Sequence, residues 1–111
     1  MNILENVPYN DDKMGNRKIV DEKHLLVMQI ALKPGQSVPQ HNANSNVHLL
    51  VVRGNDLTVN LDGVDNKVKE GDLLPVAFQT PMVIKNTGSV DAMFLVFKTP
   101  NPSEMGKERA L

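Results

Sequence analysis

The stretch "PGQSVPQHNANSNVHLLVVRG", residues 34–54, joins a turn, two histidines and an apolar run. Gly35 and Gly54 bracket it, and His41 and His48 lie between them. The apolar run before Gly54 predicts a β-strand that ends in a turn. Imidazole is a common metal ligand, so the two histidines raise the question of a metal site. The stretch offers no carboxylate upstream of its last glycine, so an anionic ligand is missing there.

β-Strand patterns continue on both sides of this stretch. Residues 24–32, "HLLVMQIAL", are apolar at both alternating sets of positions, which predicts a strand covered on both faces. "LTVNL" at 57–61 alternates, and the "DG" that follows at 62–63 predicts a tight hairpin. Further strands are predicted in "LLPVAF", "VIKNTGS" and "DAMFLVFK" (91–98), with "QTPM" as a corner. Short strands between regular turns predict an all-β sandwich or barrel with little helix.

The length of 111 residues indicates one domain with a core of its own. We predict an N-terminal arm at 1–18, a β-barrel at 19–98 and a C-terminal tail at 99–111. The arm is polar and could wrap the barrel or pair with another subunit. The tail has a composition compatible with a helix capped by Ser103, and equally with a frayed end.

Composition excludes several classes of function. No cysteine is present, so disulfides and thiolate chemistry are ruled out. Twelve basic and thirteen acidic residues are mixed along the chain, which leaves no basic stripe for nucleic acid. No apolar run is long enough to span a bilayer, and the first residues do not resemble a signal peptide. We therefore expect a cytoplasmic protein without nucleic-acid or membrane partners.

Gly35, the two histidines and Gly54 can be set beside a known motif. The chain resembles the cupin family over roughly residues 19–98. The first cupin motif runs glycine, five residues, histidine, one residue, histidine, three or four residues, glutamate, six residues, glycine. Counting from Gly35, these positions hold His41, Ala43 and, with a three-residue gap, Val47, before Gly54 closes the motif.

The second cupin motif can be aligned from Gly71. Its proline, glycine, histidine and asparagine positions hold Ala77, Gln79, Met82 and Asn86. The resemblance implies a double-stranded β-helix, also called a jelly-roll barrel. It also implies a metal held by three histidines and a carboxylate. The turn residues of the family are therefore kept, whereas its ligand positions hold a single imidazole.

Three candidate ligands have alternative interpretations. His41 either bonds a nearby amide (Asn42, Asn44 or Asn86) or acts as a ligand or acid–base group. Strand parity directs His48 outward, but a four-residue gap after Ala43, produced by a bulge, would direct it inward. Met82 is either an apolar filler or a thioether ligand, which with two imidazoles would favour copper.

Our interpretation is a cupin with an incomplete ligand set that binds a small molecule or serves as an accessory module. The pocket is predicted to include His41, Ala43, Val47, Met82 and Gln79. Amides at Gln40, Asn42, Asn44, Asn46 and Gln79 could bind a neutral polar ligand, or could simply suit a loop.

No cofactor is expected beyond a weakly bound divalent ion. The alternative is a metal-binding cupin, or a metalloenzyme, that uses His41 and His48 with Met82. A metal-free enzyme with His41 as base is a third hypothesis, but the motifs supply no carboxylate to orient it. The apolar strands at 24–32 and 91–98 predict a homodimer, since they would otherwise expose a contiguous patch.

Overall fold

A computed structural model describes residues 1–108, which form nine β-strands and a short helical segment. The strands are β1 (Gly15–Glu22), β2 (Leu25–Leu32), β3 (Ser37–Asn42), β4 (Asn46–Arg53), β5 (Leu57–Leu61), β6 (Val64–Val68), β7 (Leu73–Val76), β8 (Pro81–Asn86) and β9 (Ala92–Thr99). All the pairings between them are antiparallel. The predicted all-β architecture with little helix is confirmed.

The strands make two sheets that face each other. One has the order β1-β2-β9-β4-β7, and the other has the order β3-β8-β5-β6. Because successive side chains of a strand point to opposite faces, alternate residues of each strand enter the space between the sheets. Phe94 and Leu57 fill its centre with 1% of their surfaces exposed. The core is therefore a sandwich interior with side chains from both sheets.

Two turns follow directly from the sequence. Asp62 and Gly63 both have positive φ, of 50° and 86°, as the predicted hairpin between β5 and β6 requires. Gly54 ends β4 at φ 135°, a region that favours glycine. A Cβ at Gly54 would lie only 2.8 Å from the Leu57 side chain, so a close approach also selects glycine there.

Two strands and part of a third were missed by the sequence patterns. β1 begins at Gly15, within the segment assigned to the arm, and β3 contains Pro39 among polar residues. β3 is the edge strand of its sheet, and its register shifts between Val38 and His41, so the proline removes no regular ladder bond. β8 begins at Pro81, whereas the sequence indicated a corner at "QTPM".

The N-terminal segment lies across the outer face of the five-stranded sheet. The side chain of Gln29, fully buried on β2, donates to the carbonyl of Ile3 at 2.7 Å. Arg17 donates to the carbonyls of Glu5 and Asn6, at 3.0 and 3.1 Å. The segment thus packs on its own barrel, one of the two possibilities for the arm, and its pairing with another subunit stays a prediction.

The C-terminal segment begins with a 3-10 turn at Pro102–Glu104 and continues as α1 (Met105–Glu108). Its cap is Asn101, whose side-chain oxygen accepts from the Ser103 amide at 3.1 Å. The expectation that Ser103 is the cap was therefore wrong. The remainder of the predicted tail, residues 109–111, lies outside the described residues. In the part of the chain described, no helix has the length and apolarity to cross a membrane.

Candidate functional site

A cavity of about 190 Å³ lies between the two sheets, towards the end where the cupin motif residues meet. Its walls are mostly apolar. The five-stranded sheet supplies Met28, Ile30, Leu49, Phe94 and Val96, and Met14 lies just before its first strand. The four-stranded sheet supplies Val38, Met82 and Ile84. A concave apolar site with few polar groups is the usual form of a small-molecule pocket.

The four positions that correspond to metal ligands in the family come together at this cavity. His41, Ala43, Val47 and Met82 all line it, although they belong to three strands and a loop. His41 and Met82 are cross-strand partners in the β3–β8 pair. Ala43, Val47 and Met82 are each at most 3% exposed, whereas His41 is exposed at the mouth. The alignment by glycine spacing thus identified residues that are neighbours in space.

His41 has a different partner from those expected. Its Nδ1 lies 2.9 Å from the carbonyl oxygen of Pro39, two residues earlier. Since a carbonyl can only accept, Nδ1 carries the hydrogen and Nε2 of the neutral ring keeps its lone pair. Asn86, one of the expected partners, instead directs its amide to the carbonyls of Leu32 and Val90, each at 2.9 Å. Nε2 is therefore the ring nitrogen left for a ligand.

His48 is not brought to His41. The β4 register is regular from Asn46 to Val51, so Val47 faces the cavity and His48 faces outward. His48 is exposed and does not line the cavity. The bulge in β4 lies between Val51 and Arg53, too late to change this parity. A metal site that uses both histidines is not supported by this geometry.

Gln79 also lies outside the cavity lining. It is exposed, with φ 70°, and its backbone amide donates to the Ala43 carbonyl at 2.7 Å. Its role in the structure is to fix the loop after β3 through the main chain. Of the amides proposed at the rim, Asn44 lines the cavity.

Lys98, near the end of β9, lines the cavity and was missed by the sequence analysis. It follows Phe94 and Val96 at two-residue spacing, so the strand period carries it to the same inward face. Burial lowers the pKa of the Lys98 amine below its ordinary value, since desolvation penalises the charged form. The two-residue spacing in "FLVFK" (94–98) was the signal from which the inward position of Lys98 could have been predicted.

The polar part of the lining is basic and amide in character. Lys98 and His41 are joined by Asn16 and Asn44, and among the described residues no carboxylate lines the cavity. Tyr9, the single tyrosine, lies away from it against Arg53. The structure thus gives His41 no acid to orient it, and the general-base hypothesis gains no support.

The donor set can be compared with the metal site of the family. Ala43 and Val47 bear no donor atoms, and Met82 offers only a thioether, so His41 is the one strong ligand of the four. Within residues 1–106, whose side chains are described, no group of three or more His, Asp or Glu residues could hold an ion. These residues do not fit the three-histidine, one-carboxylate site.

Two facing antiparallel sheets around an internal cavity are consistent with a double-stranded β-helix protein. No family model matches the chain. An uncharacterised protein of Methanocaldococcus jannaschii, MJ0764, is 34% identical over 89 residues, which cover 79% of this chain and 76% of the relative. The crystal structure of that protein is described as an RmlC-like cupin with a double-stranded β-helix fold. It has a TM-score of 0.79 and covers 88% of this chain and 92% of the other. The chain belongs to the RmlC-like cupin family.

More distant structures show the same fold. An uncharacterised Klebsiella pneumoniae protein with a double-stranded β-helix domain has a TM-score of 0.83 at 16% identity, and covers 91% of this chain and 89% of that one. A predicted oxalate decarboxylase of Thermotoga maritima has a TM-score of 0.70 at 22% identity, covering 78% and 80%. At these identities the likeness concerns the fold alone.

Proposed function

We propose that this cupin binds a small molecule inside its barrel and acts as a binding or accessory module rather than as a metalloenzyme. The observation that supports the proposal is the apolar cavity of about 190 Å³ at the motif residues. An apolar cavity of about 150 Å³ is large enough to admit benzene. The cavity is therefore of a size to hold a ring or a short branched chain.

The composition of the wall favours an exchangeable occupant over a fixed core. Met14, Met28 and Met82 contribute flexible thioether side chains to the lining. Methionine adapts its shape to different contacts and is enriched at surfaces that bind varied ligands. The same side chains can close around a ligand of variable outline.

Xenon is a direct probe of the cavity because it enters dry apolar spaces. We expect xenon pressure to shift the methyl NMR signals of Met28 and Met82. Ala43→Leu should fill part of the cavity and weaken these shifts. The matched control is Ala77→Leu, which adds the same side chain at an exposed position outside the lining. Unchanged signals in the unmodified protein would contradict the proposal.

A metal-binding function remains the second candidate because His41 and Met82 are cross-strand partners at the cavity. An imidazole and a thioether together favour a soft ion such as copper. Metal analysis of protein purified without a histidine tag separates the two functions. One equivalent of metal that disappears in His41→Ala would replace our first proposal by this one.

The homodimer and the cytoplasmic location stay predictions. The outward faces of β2 and β9 that suggested a dimer are in large part buried within the chain, for example Ala31 and Met93. Leu73, at 60% exposure on the edge strand β7, and the half-buried Leu50 beside it leave an apolar strip for a partner. Light scattering of Leu73→Asp tests it, with Val64→Asp, equally exposed on the other sheet, as control. A monomeric unmodified protein at micromolar concentration would rule out the dimer.

A further inference from the structure

Lys98 holds a position at the cavity that suits an anionic group. It pairs with Val47 of β4 on one side and with Leu26 of β2 on the other, and both of these are buried apolar residues. Lys98 thus has apolar neighbours on both adjacent strands. His41 faces the same cavity from the opposite sheet.

The groups around Lys98 leave its charge uncompensated. Within residues 1–106, its amine has no hydrogen bond or ion pair, and burial is the one cause that shifts its pKa. The acid on the same row is Asp21, two strands away on β1. Its carboxylate is already engaged by Lys18 at 3.3 Å and by Asn101 at 2.8 Å. A partly buried ammonium without a counter-charge is costly, so a ligand that supplies one would be bound favourably.

The remainder of the lining defines the rest of such a ligand. Below the polar mouth the wall consists of methionine, aliphatic and phenylalanine side chains, and the described residues add no further hydrogen-bonding group there. The volume of about 190 Å³ admits a body the size of a phenyl ring. The cavity therefore combines one cationic head site with one apolar body site.

We infer that the cavity binds a small apolar carboxylic acid as its anion, with the carboxylate against Lys98 and the apolar body between the methionines. This inference rests on the proposed ligand-binding function and names its ligand class. The Asn16 and Asn44 amides can donate to the same carboxylate from the mouth. The protonation state of the ligand is decisive, because a neutral amide of the same shape lacks the charge.

The test compares phenylacetate with phenylacetamide, which differ in charge but hardly in shape. We expect the unmodified protein to bind phenylacetate at least about tenfold more tightly than phenylacetamide, because a hydrogen-bonded charge pair contributes that much. Lys98→Met should bring the two affinities together, and Lys98→Arg should retain the preference. Lys85→Met is the matched control, since Lys85 is exposed on β8 and outside the lining. Calorimetry measures all four proteins.

A second measurement uses the unmodified protein alone. The affinity for phenylacetate should fall as pH rises through the lowered pKa of Lys98, while the affinity for phenylacetamide stays constant. Equal affinities for acid and amide, or a flat acid profile, would overturn the inference and leave the proposed function intact. So would failure of both compounds to bind a cavity that xenon enters. If xenon does not enter either, the proposed function itself is wrong.

Discussion

Asn86 joins three parts of the barrel, and its removal should be one of the most damaging single changes. Its side-chain amide donates to Leu32 at the end of β2 and to Val90 in the following turn, each at 2.9 Å. Its oxygen accepts from the Gly88 amide at 3.0 Å. Only 1% of the residue is exposed, so water cannot replace these bonds. At about 1 kcal/mol for each bond, Asn86→Ala should lower the free energy of unfolding by about 3 kcal/mol.

Asn86→Asp provides a sharper form of the same test. The carboxylate would keep the oxygen that accepts from Gly88 but would bring negative charge against two carbonyl oxygens. Burial and that repulsion should raise the pKa of the introduced acid in the native state. A raised native pKa means that the variant gains stability as pH falls through it, because the protonated form can donate one bond.

Urea unfolding followed by far-UV circular dichroism measures both variants, since the chain has no tryptophan. Asn46→Ala is the control: Asn46 is exposed and makes one long bond of 3.3 Å to Thr99, so the change should stay within about 0.5 kcal/mol. A loss below about 1 kcal/mol in Asn86→Ala would refute the reasoning, as would a variant Asn86→Asp that grows less stable on mild acidification.

Three further sets of substitutions test the candidate site and the fold around it. Ala43→His, Val47→Glu and Met82→His together should create a metal site. At a hundredfold excess over the dissociation constant, nickel or zinc should then stabilise the variant by about 2.7 kcal/mol, and no metal affinity would contradict the motif alignment. Gly54→Ala should lower the free energy of unfolding in urea by about 2 kcal/mol, because φ is positive at this position and the new Cβ would lie 2.8 Å from the Leu57 side chain. An unchanged free energy of unfolding would refute this. Lys98→Met should stabilise the protein at pH 7, since it removes a desolvated charge. The difference in stability should shrink as pH rises from the lowered pKa of Lys98 towards the ordinary value for lysine. In that range the unmodified protein becomes more stable, because the buried amine is neutral in the folded state. A difference that stays constant with pH would contradict this prediction.

The sequence predicted the parts of the fold that depend on local chemistry. The hairpin at Asp62 and Gly63 and the turn at Gly54 follow from residues that tolerate positive φ. β3 could not be predicted in this way. Its six residues are mostly polar, and its pairing with β8 depends on contacts with residues 39 to 48 positions later in the chain.

The candidate site was predictable in position more than in chemistry. Glycine spacing identified Ala43, Val47 and Met82 as neighbours, and the structure brings them to one cavity. Lys98 was overlooked because a lysine at the end of a strand usually lies in solvent. His41 bonds the Pro39 carbonyl within the register shift of β3, and no residue pattern indicated that shift.

Side chains of the barrel hold the N-terminal segment through hydrogen bonds to the main-chain carbonyls of that segment. Gln29 and Arg17 contact the backbone of residues 3–6, and Arg53 reaches the Leu4 carbonyl at 3.3 Å. Every amino acid carries that carbonyl, so these hydrogen bonds do not depend on which side chains stand at 3–6. The half-buried Ile3, and Asn6 at φ 52°, are the positions there with a further constraint. The hydrogen bonds depend instead on three donor side chains of the five-stranded sheet, Arg17, Gln29 and Arg53. Relatives of this chain should therefore differ widely in their first residues while keeping a polar, bond-donating outer face on β1 and β2.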